Sequence, residues 1–518
     1  MLRSTGKVGL AIVVQGSMCS PAPAQDFNVR HDLFGWQQAR AAYSAEQTAA
    51  GDLLVFGNGP WLDSATMLTY SSVCSVERFD ASGDFLAQDT AFLDLQASYI
   101  GWSNCSTSLP DGRVVVSGGV TDGPDTNRAS IYWFSSTGML VHSVQLLPIS
   151  RSWIAYQHKN TSDGGFILTG VTSATGVQDI FLLKTDSLGN VQWWQTYGHP
   201  TRSDIATSVD HAPDGGYYIG GDYLATPDGK VQWIVRTDSV GNLIWQVWDG
   251  QPVEATFSAA VLATFDGNVV YAAGKYSGGS DQEHWPHLAK LDTAGNTIWD
   301  QTYGTAFYGT GFFSVAEITD SHDLIACGQR YYVNNLNIPY SKGILLRANS
   351  QGDSLWMREY AYFDSTVTDC EGTLRDVQPT PDGGFVAVGT TYGAINGNNP
   401  PGLSQDVWVV KVDSMGCLVP GCNIPLGITT QITNLKGALC VAPNPAHGQC
   451  TVQVELPETL RSAHLRFAVV SAQGRLIREQ KVAHGSNTLD LSGLAPGLYH
   501  LHLANSDTWL AGAKLIIE

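Results

Sequence analysis

The chain has 518 residues, of which 14% are charged, 55 are glycine and 15 are tryptophan. That mix excludes a disordered or coiled-coil chain and points to an all-β body with many turns. The formal net charge is −19, and residues 25–437 alone hold 20 Lys and Arg against 41 Asp and Glu. Such a surface repels nucleic acid and anionic membrane, so neither is expected as a partner.

Residues 1–24 read as a signal peptide. Arg3 and Lys7 give a positive start, Val8 to Val14 a short apolar core, and Ala22-Pro23-Ala24 a cleavage site before Gln25. Cys19 follows Gly16-Ser17-Met18, a poor lipobox. No other segment reaches the eighteen or so apolar residues of a spanning helix. A secreted or surface-attached product is therefore expected.

From residue 25 to 422 a phrase recurs: an acidic-Gly turn, an apolar run, then glycine. It reads DGRVVVSG from Asp111, DGGFILTG from Asp163, DGGYYIGG from Asp214, DGNVVYAAG from Asp266 and DGGFVAVG from Asp382. Degenerate copies run from Asp320 to Gly328 and from Asp52. A second phrase follows each, as in LLKTDSLGNVQWW from Leu182 and WIVRTDSVGNLIWQ from Trp233. The glycines permit tight hairpin turns, and the β-branched and aromatic runs suit buried strands. Four strands in roughly fifty residues match one propeller blade. A lone blade cannot bury both faces, whereas seven in a ring can, so a seven-bladed β-propeller is expected. Trp193, Trp245, Trp299 and Trp356 recur at one place and are expected as wedges between blades, with sugar stacking as the rival reading. The turn aspartates Asp186, Asp238, Asp292 and Asp413 also recur, which fits turn shaping better than catalysis.

The repeat region resembles bacterial propellers known by their repeats, kin to quinoprotein-like and kelch-like families. Asp238, Gly241 and Trp245 match the quinoprotein tryptophan motif loosely, and the spacing also differs from the sialidase Asp-box. No cofactor or catalytic residue carries over from either.

Asn423 to Lys436 is polar and threonine-rich, so residues 423–437 are expected as a linker. Residues 438–518 then show several short alternating strands, a small β-sandwich. This segment resembles the type A C-terminal sorting domain of type IX secretion. Pro443-Asn444-Pro445 with Gly448, the Gly474-Arg475 turn, Leu494-Ala495-Pro496-Gly497-Leu498-Tyr499 and the terminal Lys514-Leu515-Ile516-Ile517-Glu518 carry the resemblance. Ala442 replaces the family's usual aromatic, and Ser471 an acidic residue. The resemblance implies passage through the outer-membrane translocon, removal of the domain by its sorting peptidase, and release or surface attachment of the body.

Nine cysteines are present, eight without Cys19. An even number in an exported chain suggests disulfides. The local pairs are Cys74–Cys105, Cys327–Cys370, Cys417–Cys422 and Cys440–Cys450, among about 105 connectivities. No serine-hydrolase elbow, zincin helix or phosphate loop is present. His284 and His287, near Asp281 and Glu283, are expected in a solvated loop. No cofactor or metal is expected. Asp122, Asp125 and Asn127 are the one loop candidate for calcium, with spacing unlike an EF-hand.

The expected function is a surface binding or adhesion module for an unidentified extracellular glycan or protein. Its variable surface would be Pro60 to Ser72, Tyr331 to Ser341 and Tyr392 to Gln405. The alternative is an extracellular glycan hydrolase or lyase, and a plain surface-layer protein is a third reading. Enzymatic activity is the less favoured expectation, since no pair of carboxylates stands out.

Overall fold

Residues 153–197 show how one repeat folds. Strands Trp153–Asn160, Phe166–Thr172, Asp179–Thr185 and Val191–Tyr197 pair antiparallel in chain order. Every residue of the two middle strands is buried, so they read as unbroken apolar runs, while the outermost strand is half-exposed. Gly164 enters the first turn at φ +80°, where a side chain would be strained. In the second turn Asp186 Oδ1 accepts from the amides of Leu188 and Asn190, both at 2.9 Å. Asp238, Asp292 and Asp413 do the same in later units. The recurrent aspartates shape hairpins, as expected from their repetition.

The computed structural model describes residues 26–518 except 32–39, 63–68, 92–96, 124–125, 147–151, 174–175, 227–228, 254–257, 279–282, 334–338, 363–368, 395–404, 419–429, 434–437, 457–459, 462–463, 472–474 and 506–507. The expected signal peptide, Cys19, Asp125, Asp281, Cys422 and Gly474 lie outside the described residues, as do the side chains of Asp122 and Cys370. Among the described residues no helix is long and apolar enough to cross a membrane.

With residues 153–197 as unit three, similar antiparallel sheets form from residues 41–91, 97–145, 205–253, 260–302, 311–362 and 369–412, here called units one, two, four, five, six and seven; the sheets of units two and five carry a fifth strand, and residues 369–412 supply three strands of theirs. The fold is all-β and propeller-like. Residues of the first strands of successive units, with a loop residue of unit two and a turn residue of unit five, join in a cycle. Ser44 Oγ meets Ser106 Oγ at 2.7 Å. Gln157 donates to Ser103 O at 3.3 Å and accepts from Val209 N at 2.7 Å. Ser208 Oγ accepts from Val261 N, and Glu317 from Phe265 N, both at 2.8 Å. Asp376 then accepts from Ser314 Oγ at 3.4 Å and from Ser44 Oγ at 3.0 Å, which returns the cycle to unit one.

The N-terminal strand Phe27–His31 is the outermost strand of unit seven, antiparallel to Gln405–Val412. Phe27 packs into the unit-one core, and Asn28 Nδ2 donates to Ala361 O of unit six at 3.2 Å. The first described strand and the last strands of the repeat region therefore close the same sheet.

The tryptophans sit between units. Ideal Cβ atoms built at Gly241, Gly295, Gly352 and Gly416 would lie 2.8–3.1 Å from Trp193, Trp245, Trp299 and Trp356 respectively. Each indole thus covers the turn glycine of the following unit. Trp245, Trp299 and Trp356 also donate Nε1–H to backbone oxygens in that turn, at 2.9, 3.2 and 3.2 Å. An ion pair missed in the sequence joins the two phrases within a unit. Lys184 meets Asp163 at 2.8 Å, Lys290 meets Asp266 at 2.6 Å and Arg347 meets Asp323 at 2.7 Å. Arg236–Asp214, Lys411–Asp382 and Arg78–Asp52 pair likewise.

Three expectations are corrected. First, Cys74, Cys105, Cys327 and Cys450 are buried free thiols, so Cys74–Cys105, Cys327–Cys370 and Cys440–Cys450 do not form. Cys74 and Cys105 serve as small apolar side chains in one core. Cys327 packs with Leu374, four residues further along the strand from Cys370, about 13 Å away. Cys440 faces Gln453 across its ladder, three residues from Cys450. Cys417 and Cys440 are each engaged in a disulfide. Second, the described ends of the expected variable loops are strand extensions: Trp61 pairs Tyr70, Tyr332 pairs Tyr340 and Tyr392 pairs Gln405, while residues 63–68, 334–338 and 395–404 lie outside the described residues. Third, the expected linker contains a strand. Thr430–Thr433 runs parallel to both Ser354–Tyr362 of unit six and the terminal strand Thr508–Ile517.

The tail is therefore not an independent appendage. Its Ala468, Val470, Ala504 and Trp509 share a core with Trp356, Tyr360 and Tyr362 of unit six. That contact buries the outer strand of unit six. Trp356 is buried, whereas the equivalent Trp193, Trp245 and Trp299 of units three, four and five are only partly buried.

Candidate functional site

The first strands of five units carry a bulge at the same point. Register slips between Ala42 and Ser44, Ala155 and Gln157, Ala206 and Ser208, Phe312 and Ser314, and Leu374 and Asp376. The skipped residues are Tyr43, Tyr156, Thr207, Phe313 and Arg375. A bulge re-aims its side chain away from the sheet pattern, here at one end of the axis. In unit two an insertion takes the bulge's place: the first strand breaks into Ala97–Ile100 and Ser106–Ser108, and residues 101–105 loop out between them.

That loop crosses the axis. Ser103 Oγ donates to Phe313 O of unit six at 3.4 Å, and Gln378 of unit seven donates to Asn104 Oδ1 at 3.4 Å. Trp102 N donates to Tyr156 O at 3.1 Å and Asn104 N to Tyr43 O at 3.2 Å. Gly101 has no alternative, because a Cβ there would lie 1.9 Å from Tyr156 O. The loop sets Trp102 at the mouth with 39% of its surface exposed. Tyr43 and Tyr156 lie on either side at centroid distances of 6.1 and 6.4 Å. The Arg375 guanidinium stacks 4.4 Å over Trp102 and 4.7 Å over Phe313. The result is an aromatic platform with a cation at its edge.

Beneath it the axis is polar and sealed. Asp376 is 1% exposed, and burial raises its carboxyl above the usual range. Burial likewise raises the Glu46 carboxyl, which takes Ser106 Oγ at 3.0 Å and Ser108 Oγ at 2.6 Å. Every one of these contacts is to the protein's own hydroxyls and amides, so the network ties first strands together.

A second cluster lies between units four and five. His284 and His287 are both buried in the strand Glu283–Leu291, which corrects the solvated-loop expectation. Alternation cannot reveal this, since both faces of the strand are covered. His287 Nε2 lies 3.0 Å from Asp300 Oδ1. His287 and Lys275, through hydrogen bonds, hold the Asp300 carboxyl down to about 2. Tyr271 donates to Asp249 Oδ2 at 2.7 Å. Of the calcium candidates, Asn127 is engaged by Thr121 and Ser152.

In the tail the motif residues fasten the sandwich. Asn444 Nδ2 donates to Lys514 O at 2.9 Å and its Oδ1 accepts from Ile516 N at 2.8 Å. The Pro443-Asn444-Pro445 segment thus clamps the terminal strand. Gly448, at φ +65°, accepts from Leu491 N at 2.8 Å. Leu494 packs on the sandwich core, and Tyr499 Oη donates to Ala495 O at 2.9 Å beside Gly497. Arg475 closes the expected turn by accepting from Ser471 N. Pro443, Asn444, Pro445 and Arg475 remain exposed.

Residues 440–518 match the family model described as a secretion system C-terminal sorting domain. This segment is a type IX secretion sorting domain, and the protein is exported, to be secreted or attached at the cell surface. No curated protein matches the chain. Among solved structures, an α-L-arabinanase of Penicillium chrysogenum in complex with arabinobiose is similar at TM-score 0.41 and 12% identity, covering 76% of this chain and 99% of its own. The GH93 α-L-arabinofuranosidase of Fusarium graminearum gives 0.42 and 11%, covering 58% and 92%. A PL25 ulvan lyase gives 0.39 and 10%, covering 61% and 79%. At these values the similarities say nothing of this chain's chemistry.

Proposed function

We propose that the protein is a surface-delivered binding module, a seven-bladed propeller over residues 25–422 that takes an acidic glycan chain at its axial mouth. The tail over residues 438–518 is recognised by the outer-membrane translocon and its sorting peptidase. The observation that carries the binding reading is Trp102. The recurrent tryptophans of the body are spent between units, whereas Trp102 is held out on a loop of its own with Arg375 stacked on it. An indole face suits a sugar ring, and a guanidinium suits a carboxylate or sulfate.

The test is a glycan array followed by titration calorimetry on the intact exported protein. A carboxylated or sulfated polysaccharide is expected to bind. Trp102→Ala should weaken it at least about tenfold, worth about 1–2 kcal/mol of stacking, and Arg375→Met by a similar factor. Absence of any glycan ligand, or wild-type affinity in both variants, would contradict the proposal.

A further inference from the structure

Units four and five depart from the repeat at three neighbouring positions. Four residues after the wedge tryptophan, units three, five and six carry Tyr197, Tyr303 and Tyr360, whose hydroxyls donate to Gly241, Gly352 and Gly416 of the next unit. Unit four has Asp249 there instead. Three residues before the basic member of the ion pair, units three, four, six and seven carry Phe181, Trp233, Ile344 and Trp408, all buried and apolar, and unit one carries the small Ser75. Unit five has His287. One residue after its wedge tryptophan stands Asp300. All three departures meet at one place, where one donor atom from each side chain lies within 4.8 Å of the other two.

The local geometry is specific. His287 is fully buried. Its Nε2 lies 3.0 Å from Asp300 Oδ1, and because an ionised carboxylate only accepts, the proton is on Nε2. Lys275 bonds the other oxygen of Asp300. In the neutral ring Nδ1 then presents its lone pair, and that atom is buried and without a hydrogen-bond partner. It faces Asp249 Oδ2 at 4.0 Å. That gap is too long for a hydrogen bond, and it is wider by about 0.6 Å than the roughly 3.4 Å that two tetrahedral ligands with bonds of about 2.1 Å span, so a small shift of the partly exposed Asp249 carboxylate brings both onto one ion. Asp249 is otherwise held by Tyr271 on Oδ2 and by the Gly250 amide on Oδ1.

We propose that Asp249 and His287 bind a divalent first-row transition ion, with Asp300 orienting the ring, and that the ion clips unit four to unit five. A carboxylate on the far nitrogen is the usual support of a metal-bound histidine, fixing its tautomer and raising its basicity. Imidazole with carboxylate suits Zn²⁺ or Mn²⁺, whereas Ca²⁺ prefers an all-oxygen shell. Water completes the coordination on the solvent side of Asp249. The clip takes over the interunit role that tyrosine plays at the equivalent place in other units.

The test uses the full chain, stripped with chelator and then unfolded thermally with Zn²⁺, Mn²⁺ or Ca²⁺. Zn²⁺ or Mn²⁺ at about 100 times its Kd should raise Tm by about 3 °C, and Ca²⁺ should not. Asp249→Tyr and His287→Phe install the residue types of other units and should abolish the shift. Asp300→Asn keeps an acceptor for Nε2 and should lower affinity less than Asp249→Tyr does. No shift with either transition ion, or an undiminished shift in the first two variants, would overturn the proposal. Should a variant fail to fold, electron paramagnetic resonance of the intact chain with Mn²⁺ decides. One bound ion per chain with nitrogen coupling from a single imidazole is expected, and an all-oxygen shell or no bound ion would overturn the site.

Discussion

Trp299→Ala should destabilise the body by about 3 kcal/mol, read as a lower urea midpoint. The indole lies over Gly352 of the following unit and donates to Ser350 O at 3.2 Å. Truncation leaves a cavity at the joint and an unpaired turn oxygen, and no neighbour can shift inward without breaking its own sheet. Gly352→Ala should also cost stability, for two reasons. The residue sits at φ +84°, and its new Cβ would lie 2.9 Å from the Trp299 ring. The two changes should be less than additive, because removing the indole relieves the contact but not the backbone strain. Full additivity would mean that the indole and the glycine do not press on each other.

His158 should make the body acid-labile. It is fully buried on the first strand of unit three, against Phe166 at a centroid distance of 5.9 Å. Burial, with Lys159 adding to it, pushes its pKa down to about 3. The unfolded chain titrates the same ring near about 6.5, so between those values the unfolded state binds the extra proton. The stabilising contribution is complete above about pH 6.5 and is lost as pH falls toward the folded value. At pH 4.5 the loss should be about 3 kcal/mol relative to pH 7. His158→Leu should remove that part of the acid limb. Buried carboxyls such as Asp376 titrate in the opposite sense, so the quantity to measure is the difference between variant and wild type at each pH. A difference that does not change between pH 7 and pH 4.5 would contradict the assignment.

Much of the fold is legible because its punctuation is chemical. Asp-Gly-Gly and Asp-Ser-x-Gly-Asn each force a turn through positive φ and a side chain bonded to the backbone, so they mark strand ends wherever they occur. The closure by Phe27–His31 is not legible, since a five-residue strand does not announce a partner nearly four hundred residues away. The thiol pairs fail for a related reason: sequence proximity ignores register, and register places Cys440 opposite Gln453. The mouth was missed because its residues obey a position and not a type. Tyr43, Tyr156, Thr207, Phe313 and Arg375 share nothing but the place before a polar residue, and that place becomes visible only when the first strands are aligned through their bulges. His287 misleads by polarity. Set against Phe181, Trp233, Ile344 and Trp408 at the equivalent place, it is a polar residue where four other units are apolar, and alignment of the units would have exposed it.

The delivery of the ring by its tail is tested most directly by surface protease accessibility of the body in cells producing residues 1–437 or the full chain. The full-length body should be cleaved by protease added outside intact cells, and the truncated body should stay protected until the outer membrane is opened. Equal cleavage of the two in intact cells would contradict the account.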